Sequence, residues 1–150
     1  MDKTNCCRIL DRHGINYRLL KYEIDENALD AVTVADKLGL PHEQVFKTLV
    51  FKGDKTGYFT VLIPAGREVI PKKAASVSGN KSCSILPLKE LFPLTGYIRG
   101  GCSVIGMKKS FPVYIDISAG LFDEICISPG KRGLQIMVNP DSICNITNGR

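Results

Sequence analysis

The chain has 150 residues, of which 44% are hydrophobic, and its formal net charge is +5. This length and apolar content favour a single domain, residues 1–150, with its own core, and no stretch rich in Pro, Gly or Ser marks an internal boundary. The start lacks the apolar segment of about 7–15 residues that a secretory signal needs, and no run of about 18 apolar residues predicts a membrane span. We therefore expect a soluble, cytoplasmic protein without membrane contacts.

Glycines and capping residues predict two helices early in the chain. Residues 4–13 begin with Thr4 as a candidate N-cap and end just before Gly14. Residues 33–36, TVAD, resemble a capping box in which Asp takes the position of Glu. Gly39 follows at a distance that suits the end of the helix this box would open.

The clearest β signal is a hairpin at residues 46–52 and 58–63, because GDKTG between the two strands supplies turn residues. The other predicted elements are strands at residues 17–23, 113–117, 124–128 and 134–138, a short helix between Pro71 and Gly79, and a helical turn from Pro140. Strands interspersed with helices predict an α/β protein of the α+β type with a mixed sheet, not a doubly wound one.

The segment TGYIRGGCSVIG, residues 95–106, is the best candidate for a binding loop. Gly100 and Gly101 permit positive φ and a close approach of backbone amides to a ligand. Lys47 lies among apolar residues in QVFKTLVF, where its side chain can point into a cleft. A lysine facing a glycine loop suits an anionic or carbonyl ligand. A tight turn and a solvated lysine are the simpler alternatives, and the pattern alone leaves them open.

The cysteines and histidines predict neither disulfides nor a metal site. The six cysteines have no CxxC spacing, and His13 and His42 form no cluster with them. We expect reduced thiols, no metal and no cofactor. Cys102 lies inside the glycine loop, where a small packing side chain is favoured over a nucleophile. GxSxG and GxxxxGK[ST] are both absent, which argues against an α/β-hydrolase elbow and a P-loop.

Basic residues in or beside predicted loops favour a nucleic-acid partner, with a solvated surface as the alternative for any one of them. They are Lys72, Lys73, Lys81, Arg99, Lys108, Lys109, Lys131 and Arg132. The candidates for tRNA contact are Lys72, Lys73, Arg99, Lys131 and Arg132.

Three motifs, FKT, GGxS with a glycine three residues after the serine, and GKRGLQ, resemble in order and spacing the YbaK family of aminoacyl-tRNA deacylases, relatives of the prolyl-tRNA synthetase editing domain. The resemblance covers almost the whole chain, from GINYRLLKYEID to NPDSI. It implies a curved mixed sheet with flanking helices and a ligand cleft at its mouth. It also implies deacylation of mischarged Cys-tRNA(Pro), in which the substrate's own thiol attacks its ester, with mischarged tRNA and prolyl-tRNA synthetase as partners.

The resemblance assigns roles to individual residues. Lys47 would orient the substrate and offset negative charge, while the amides around Gly100 and Gly101 would hold the carbonyl or the terminal ribose. The candidate substrate-binding residues are Tyr22, Thr48 and Ser103. Ordinary strand packing for Tyr22, and a hydroxyl bonded within its own loop for Ser103, are the alternatives.

One departure from the family pattern is Val104, which replaces the proline of GGxSPxG. Valine loses the fixed φ of proline, which puts the identity of the amino acid in doubt. Editing of another mischarged tRNA such as Ala-tRNA(Pro), or a tRNA- or nucleotide-binding module without catalysis, is the alternative function.

Overall fold

The computed structural model describes residues 4–147. Its helices are α1 (Asn5–Arg12), α2 (Ala31–Leu38), α3 (Pro71–Ser78), α4 (Leu88–Thr95) and α5 (Pro140–Thr147). Its strands are β1 (Tyr17–Lys21), β2 (Phe46–Gly53), β3 (Gly57–Pro64), β4 (Cys83–Ile85), β5 (Val113–Ile115), β6 (Ile125–Ile127) and β7 (Leu134–Val138). Within the described residues, no helix combines the length and the apolar character that a membrane span requires.

The strands of the described chain form two sheets. One has the order β4-β2-β3-β5, with β3 and β5 parallel and the other neighbours antiparallel. The other is antiparallel, with the order β1-β7-β6. A parallel bridge between Val45 and Cys126 joins the residue before β2 to β6. The predicted α/β class with a mixed sheet is confirmed, and its strands divide between two sheets that meet at this bridge.

The main hydrophobic core draws on both sheets and on the two terminal helices. Leu10 from α1, Leu62 from β3, Ile136 from β7 and Ile143 from α5 are all fully buried within it. A smaller cluster packs Ala35 of α2 against the antiparallel sheet. The main core therefore joins residues of both sheets to the helices nearest the two ends of the described chain.

The predicted β2–β3 hairpin is confirmed, with Phe46 paired to Pro64 and Gly53 to Gly57. The Asn80 side chain holds the turn, since its Oδ1 accepts hydrogen bonds from the backbone N–H groups of Lys55 and Thr56, each at 2.9 Å. This hairpin fixes the register of β2 and therefore the position of Lys47 opposite Ile63.

Of the two predicted helix N-caps, one is confirmed and one is wrong. Thr4 caps α1 as expected, because its Oγ1 accepts from the N–H of Cys7 at 3.3 Å. The capping box predicted at residues 33–36 is wrong, since α2 begins at Ala31 with Asp30 as its N-cap. The Asp30 carboxylate accepts from the N–H of Thr33 at 3.1 Å and from its hydroxyl at 2.8 Å. The stronger, charged acceptor takes the cap, and Thr33 lies within the first turn.

Other boundaries also differ from the prediction. The strand predicted at residues 17–23 ends at Lys21, and the strand predicted at residues 124–128 is one residue shorter at each end. The strand predicted at residues 113–117 is shorter, because Asp116 caps a 3₁₀ segment, Ile117–Leu121, by accepting from the N–H of Ser118 at 3.1 Å. The terminal helical turn is a helix of eight residues, α5.

Asp30→Ala is expected to lower the free energy of unfolding by about 1 kcal/mol at neutral pH, the usual cost of a lost N-cap. The hydrogen bonds from Thr33 lower the pKa of Asp30 from its ordinary value of 3.8. A lowered folded-state pKa means that this contribution is present above about pH 4 and is lost as pH falls through the folded pKa. Urea unfolding at pH 7 and pH 3 measures it, with Asp30→Asn as the control that keeps the acceptor. Equal urea midpoints for wild type and Asp30→Ala at pH 7 would contradict the assignment.

Candidate active site

A cavity of about 500 Å³ lies between β2, the start of α2, the end of β4, α4 and the glycine loop. Its walls are mainly apolar. The polar residues that line it are Asp30, Lys47, Thr48, Arg99, Ser128 and Gln135. A concave apolar space with a few converging polar groups is the usual form of a small-ligand site.

Lys47 extends from β2 into this cavity and is half-buried. Its neighbour Phe46 is 2% exposed and belongs to the main core, so the strand anchors the lysine firmly. The Lys47 Nζ donates to the carbonyl oxygen of Ala65 at 3.1 Å, which fixes the direction of the side chain. An ammonium group has three donors, so hydrogen-bonding capacity is left for a ligand. The adjacent Thr48 also lines the cavity.

The two glycines of the loop have different surroundings. Gly100 lines the cavity with φ +82°, and the Gly101 N–H donates to the Ile98 carbonyl at 2.9 Å, which closes a turn with Gly100 at its third position. A turn of this kind requires positive φ there and therefore favours glycine. The Gly100 N–H donates to no other described residue. Gly100 can thus offer a backbone donor to a ligand, whereas the Gly101 amide is engaged within the turn.

Gly101 instead allows two segments to pack closely. A Cβ at Gly101 would lie 3.2 Å from the backbone nitrogen of Arg132 and 3.4 Å from Cα of Lys131. The Arg132 Nε donates to the carbonyl of Arg99 at 2.8 Å. These contacts hold the glycine loop against the turn between β6 and β7.

Of the five basic residues predicted to contact tRNA, the structure brings three together. Arg99 lines the cavity, and Lys131 and Arg132 pack beside it as described above. We call Arg99, Lys131 and Arg132 the basic rim. Lys72 and Lys73 lie in the first turn of α3, are exposed, and do not line the cavity.

Cys102 lines the cavity, and burial raises the pKa of its thiol to about 12. The thiol is therefore protonated at neutral pH, whereas thiol nucleophiles act as thiolates. This supports the interpretation of Cys102 as a packing residue.

Ser103 and Tyr22 do not lie on the cavity wall. Ser103 is fully buried, its hydroxyl donating to Cys6 Sγ at 3.7 Å and accepting from the Ile105 N–H at 3.2 Å. Tyr22 follows β1, and its N–H donates to the Gly133 carbonyl at 3.1 Å. Val104, which replaces the family's proline, is 7% exposed and packs in the main core. An effect of Val104 on the cavity would have to pass through the loop backbone.

Gln135 and Ser128 line the cavity and were not among the residues predicted from sequence. Gln135 is 5% exposed, and its Oε1 accepts from the Cys126 thiol at 3.4 Å. No described residue accepts from its amide nitrogen, and this nitrogen is not among the buried atoms left without a partner, so it is accessible to a ligand. A polar residue within the apolar strand LQIMV was the available signal, because such a side chain needs a partner.

The chain also resembles known proteins. The sequence profile of the aminoacyl-tRNA editing domain matches residues 25–145. The chain belongs to this family. The resemblance to editing deacylases predicted from the FKT, GGxS and GKRGLQ motifs is thus confirmed.

Relatives of this editing domain include a protein of Enterococcus faecalis named as a proposed Cys-tRNA(Pro)/Cys-tRNA(Cys) deacylase, EbsC. The two are 45% identical over 148 residues, which is 99% of this chain and 90% of the relative. A proline–tRNA ligase of Fervidobacterium nodosum is 32% identical over 82 residues, 55% of this chain and 14% of the ligase. A crystal structure of a proposed trans-editing enzyme for prolyl-tRNA synthetase superposes with a TM-score of 0.81 at 21% identity, covering 99% of this chain and 96% of that one. The last likeness supports the fold.

The described residues of this editing domain contain no group of three His, Cys, Asp or Glu side chains placed to hold a metal ion. All six cysteines are described, and each is a free thiol. We expect deacylation to continue at an unchanged rate after treatment with EDTA, because a metal site needs about three or four such ligands. Rates before and after dialysis against EDTA measure this. Inactivation that added zinc reverses would contradict it.

Proposed function

We propose that this protein hydrolyses the ester of mischarged aminoacyl-tRNA, with Cys-tRNA(Pro) as its preferred substrate. The observation that carries the proposal is that Lys47 and Gly100 line one apolar cavity from two different segments of the chain. The name of the relative from Enterococcus faecalis supports the choice of cysteine. Membership of the editing-domain family supports tRNA as the carrier.

In the proposed reaction the substrate supplies its own nucleophile. The cysteine sulfur attacks the ester carbonyl, a C–S bond forms, and the C–O bond to the tRNA ribose breaks. The thiol proton ends on the departing ribose oxygen, and water then hydrolyses the cyclic thioester to free cysteine. Because the nucleophile comes from the substrate, the protein needs to supply only geometry and charge stabilisation.

Four donor groups of the cavity have a place in this scheme. The Lys47 ammonium offsets the negative charge that develops on the carbonyl oxygen, and the Gly100 N–H donates to the same oxygen or to the terminal ribose. The Gln135 amide nitrogen and the Thr48 hydroxyl are further donors for polar groups of the substrate. The apolar walls keep bulk water from the ester, which strengthens these interactions.

The basic rim of Arg99, Lys131 and Arg132 would bind phosphates of the tRNA close to the cavity. Lys72 and Lys73 would contact the tRNA further from the ester, because they lie on α3, away from the cavity. Prolyl-tRNA synthetase is a candidate partner, because this chain resembles part of a proline–tRNA ligase. The expected compartment is the cytoplasm, where tRNA is charged and used.

Raising the salt concentration from about 50 to 200 mM is expected to weaken tRNA binding by about tenfold or more, because each phosphate contact releases counterions. Filter binding or fluorescence anisotropy at several salt concentrations measures how steeply the logarithm of the tRNA affinity falls with the logarithm of the salt concentration. Arg132→Ala should make this dependence less steep. Lys81→Ala, outside the basic rim, is the control and should leave it unchanged. Affinity that does not change with salt would argue against a nucleic-acid substrate.

The proposed function is tested by incubating the protein with cysteinyl-tRNA(Pro) and measuring the rate of ester loss above the uncatalysed rate. Acceleration supports a deacylase. Tight binding of the tRNA without acceleration would identify a binding module instead. Preference for alanyl-tRNA(Pro) would keep the enzyme class and change the substrate.

A further inference from the structure

An apolar face of α4 is exposed at the mouth of the cavity. Leu88 and Phe92 lie one helical turn apart and are 59% and 56% exposed, and Ile85, three residues before Leu88, is 58% exposed. Ile85 and Leu88 also line the cavity, so this face continues the cavity wall outward to solvent. We call these three residues the α4 rim. Large apolar side chains grouped at the edge of a ligand site indicate a contact surface.

Positive charge lies beside the α4 rim. The Lys108 Nζ lies 5.3 Å from the ring centroid of Phe92. The aliphatic part of Lys108 packs over Gly96 at the end of α4, where an added Cβ would lie 3.2 Å from Lys108 Cγ. Arg99, three residues after Gly96, lines the same cavity. An exposed aromatic ring beside a cation suits a nucleotide, because the base stacks on apolar surface while the cation neutralises its phosphate.

We propose that the α4 rim binds the unpaired terminal bases of the RNA whose aminoacyl end enters the cavity, with one base stacked on Phe92. This inference rests on the proposed function for the identity of the RNA. The aminoacyl end of a tRNA is single-stranded, so its bases are free to stack on a protein surface. A ligand whose ester lies at Lys47 must leave the cavity through its mouth, where Ile85 and Leu88 are the adjoining wall.

The position of the rim favours RNA over a second protein. A second exposed apolar pair, Ile117 and Leu121, is 95% and 81% exposed, yet neither residue lines the cavity. Neither side chain is aromatic, so this pair offers no ring on which a base could stack. Within residues 4–147, the α4 rim alone combines apolar exposure, a ring–cation contact and continuity with the cavity. Leu121 therefore provides a matched control.

The experiment is a double-mutant cycle between Phe92 and the terminal base. The probe is a fluorescently labelled single-stranded RNA ending in CCA, and its comparison is the same RNA with an abasic terminal nucleotide. Fluorescence anisotropy with the full-length protein measures both affinities. We expect the abasic probe to bind wild type about tenfold more weakly. Phe92→Ala should bind both probes equally and weakly, whereas Phe92→Tyr and Leu121→Ala should behave as wild type.

The inference would be overturned if removal of the terminal base and Phe92→Ala lowered the RNA affinity independently of each other. It would also be overturned if the CCA probe showed no saturable binding to wild type. It would also be overturned if Phe92→Ala lost binding to prolyl-tRNA synthetase while its RNA affinities were unchanged, since the rim would then bind protein. Circular dichroism confirms folding of each variant. If Phe92 and the terminal base are coupled but cysteinyl-tRNA is not deacylated, the α4 rim still binds RNA and the proposed function is wrong. If cysteinyl-tRNA is deacylated but Phe92 and the terminal base are not coupled, the proposed function stands and the role of the α4 rim is wrong.

Discussion

Lys47→Ala is expected to fold normally and to lose deacylation of cysteinyl-tRNA(Pro) by about 10²-fold or more, the usual loss when one group that stabilises a developing oxyanion is removed. The fold should persist, because Lys47 is only half-buried and, among the described residues, its side chain makes one hydrogen bond, to the Ala65 carbonyl. Single-turnover rates at saturating protein measure the chemical step apart from binding.

Lys52→Ala is the matched control, because Lys52 lies on the same strand but is exposed and outside the cavity. It should retain wild-type turnover. Lys47→Met keeps the length and apolar stem of the side chain while removing the charge, so it should be as impaired as Lys47→Ala. Near-normal turnover by folded Lys47→Ala would remove Lys47 from the mechanism.

Cysteinyl-tRNA is expected to be cleaved much faster than seryl- or alanyl-tRNA when all three esters are carried by one tRNA. A hydroxyl is a far weaker nucleophile than a thiol unless a base activates it, and the alanine side chain has no nucleophile at all. The measurement is the rate of ester loss for each substrate at saturating protein. Equal rates for alanyl and cysteinyl esters would show that water or a ribose hydroxyl attacks instead.

The same panel tests the cysteine in the glycine loop. Cys102→Ser should change turnover little, because burial keeps the Cys102 thiol protonated, with a pKa of about 12. Cys83→Ser controls for the substitution itself, since Cys83 does not line the cavity. Loss of turnover in Cys102→Ser alone would mean that the enzyme uses its own thiol.

Local signals in the sequence predicted much of the fold. The GDKTG turn predicts the β2–β3 hairpin, and Gly39 and Gly79 end α2 and α3 with φ near +69° and +81°. Helix α4 was missed because Pro93 lies inside it, and proline normally marks the end of a helical pattern. The division of the strands into two sheets depends on contacts between distant segments, which no local pattern records.

The sequence also predicted several of the residues that line the cavity. Lys47, Thr48, Gly100 and Arg99 line the cavity, although their catalytic and binding roles remain predictions. Gly101 and Ser103 belong to the same motif but face the protein, because a tight turn directs neighbouring residues to opposite sides. Gln135 was missed because its partner Cys126 comes from the neighbouring strand.

The cavity depends on both sheets, which the bridge between Val45 and Cys126 joins. Lys47 belongs to the four-stranded sheet, whereas Gln135 belongs to the antiparallel sheet, so neither sheet alone encloses a substrate. The hairpin that carries Lys47 closes over a short loop, but docking of the two sheets requires contacts across most of the chain, which form slowly. A nascent or truncated chain would therefore carry the lysine without the enclosed space around it.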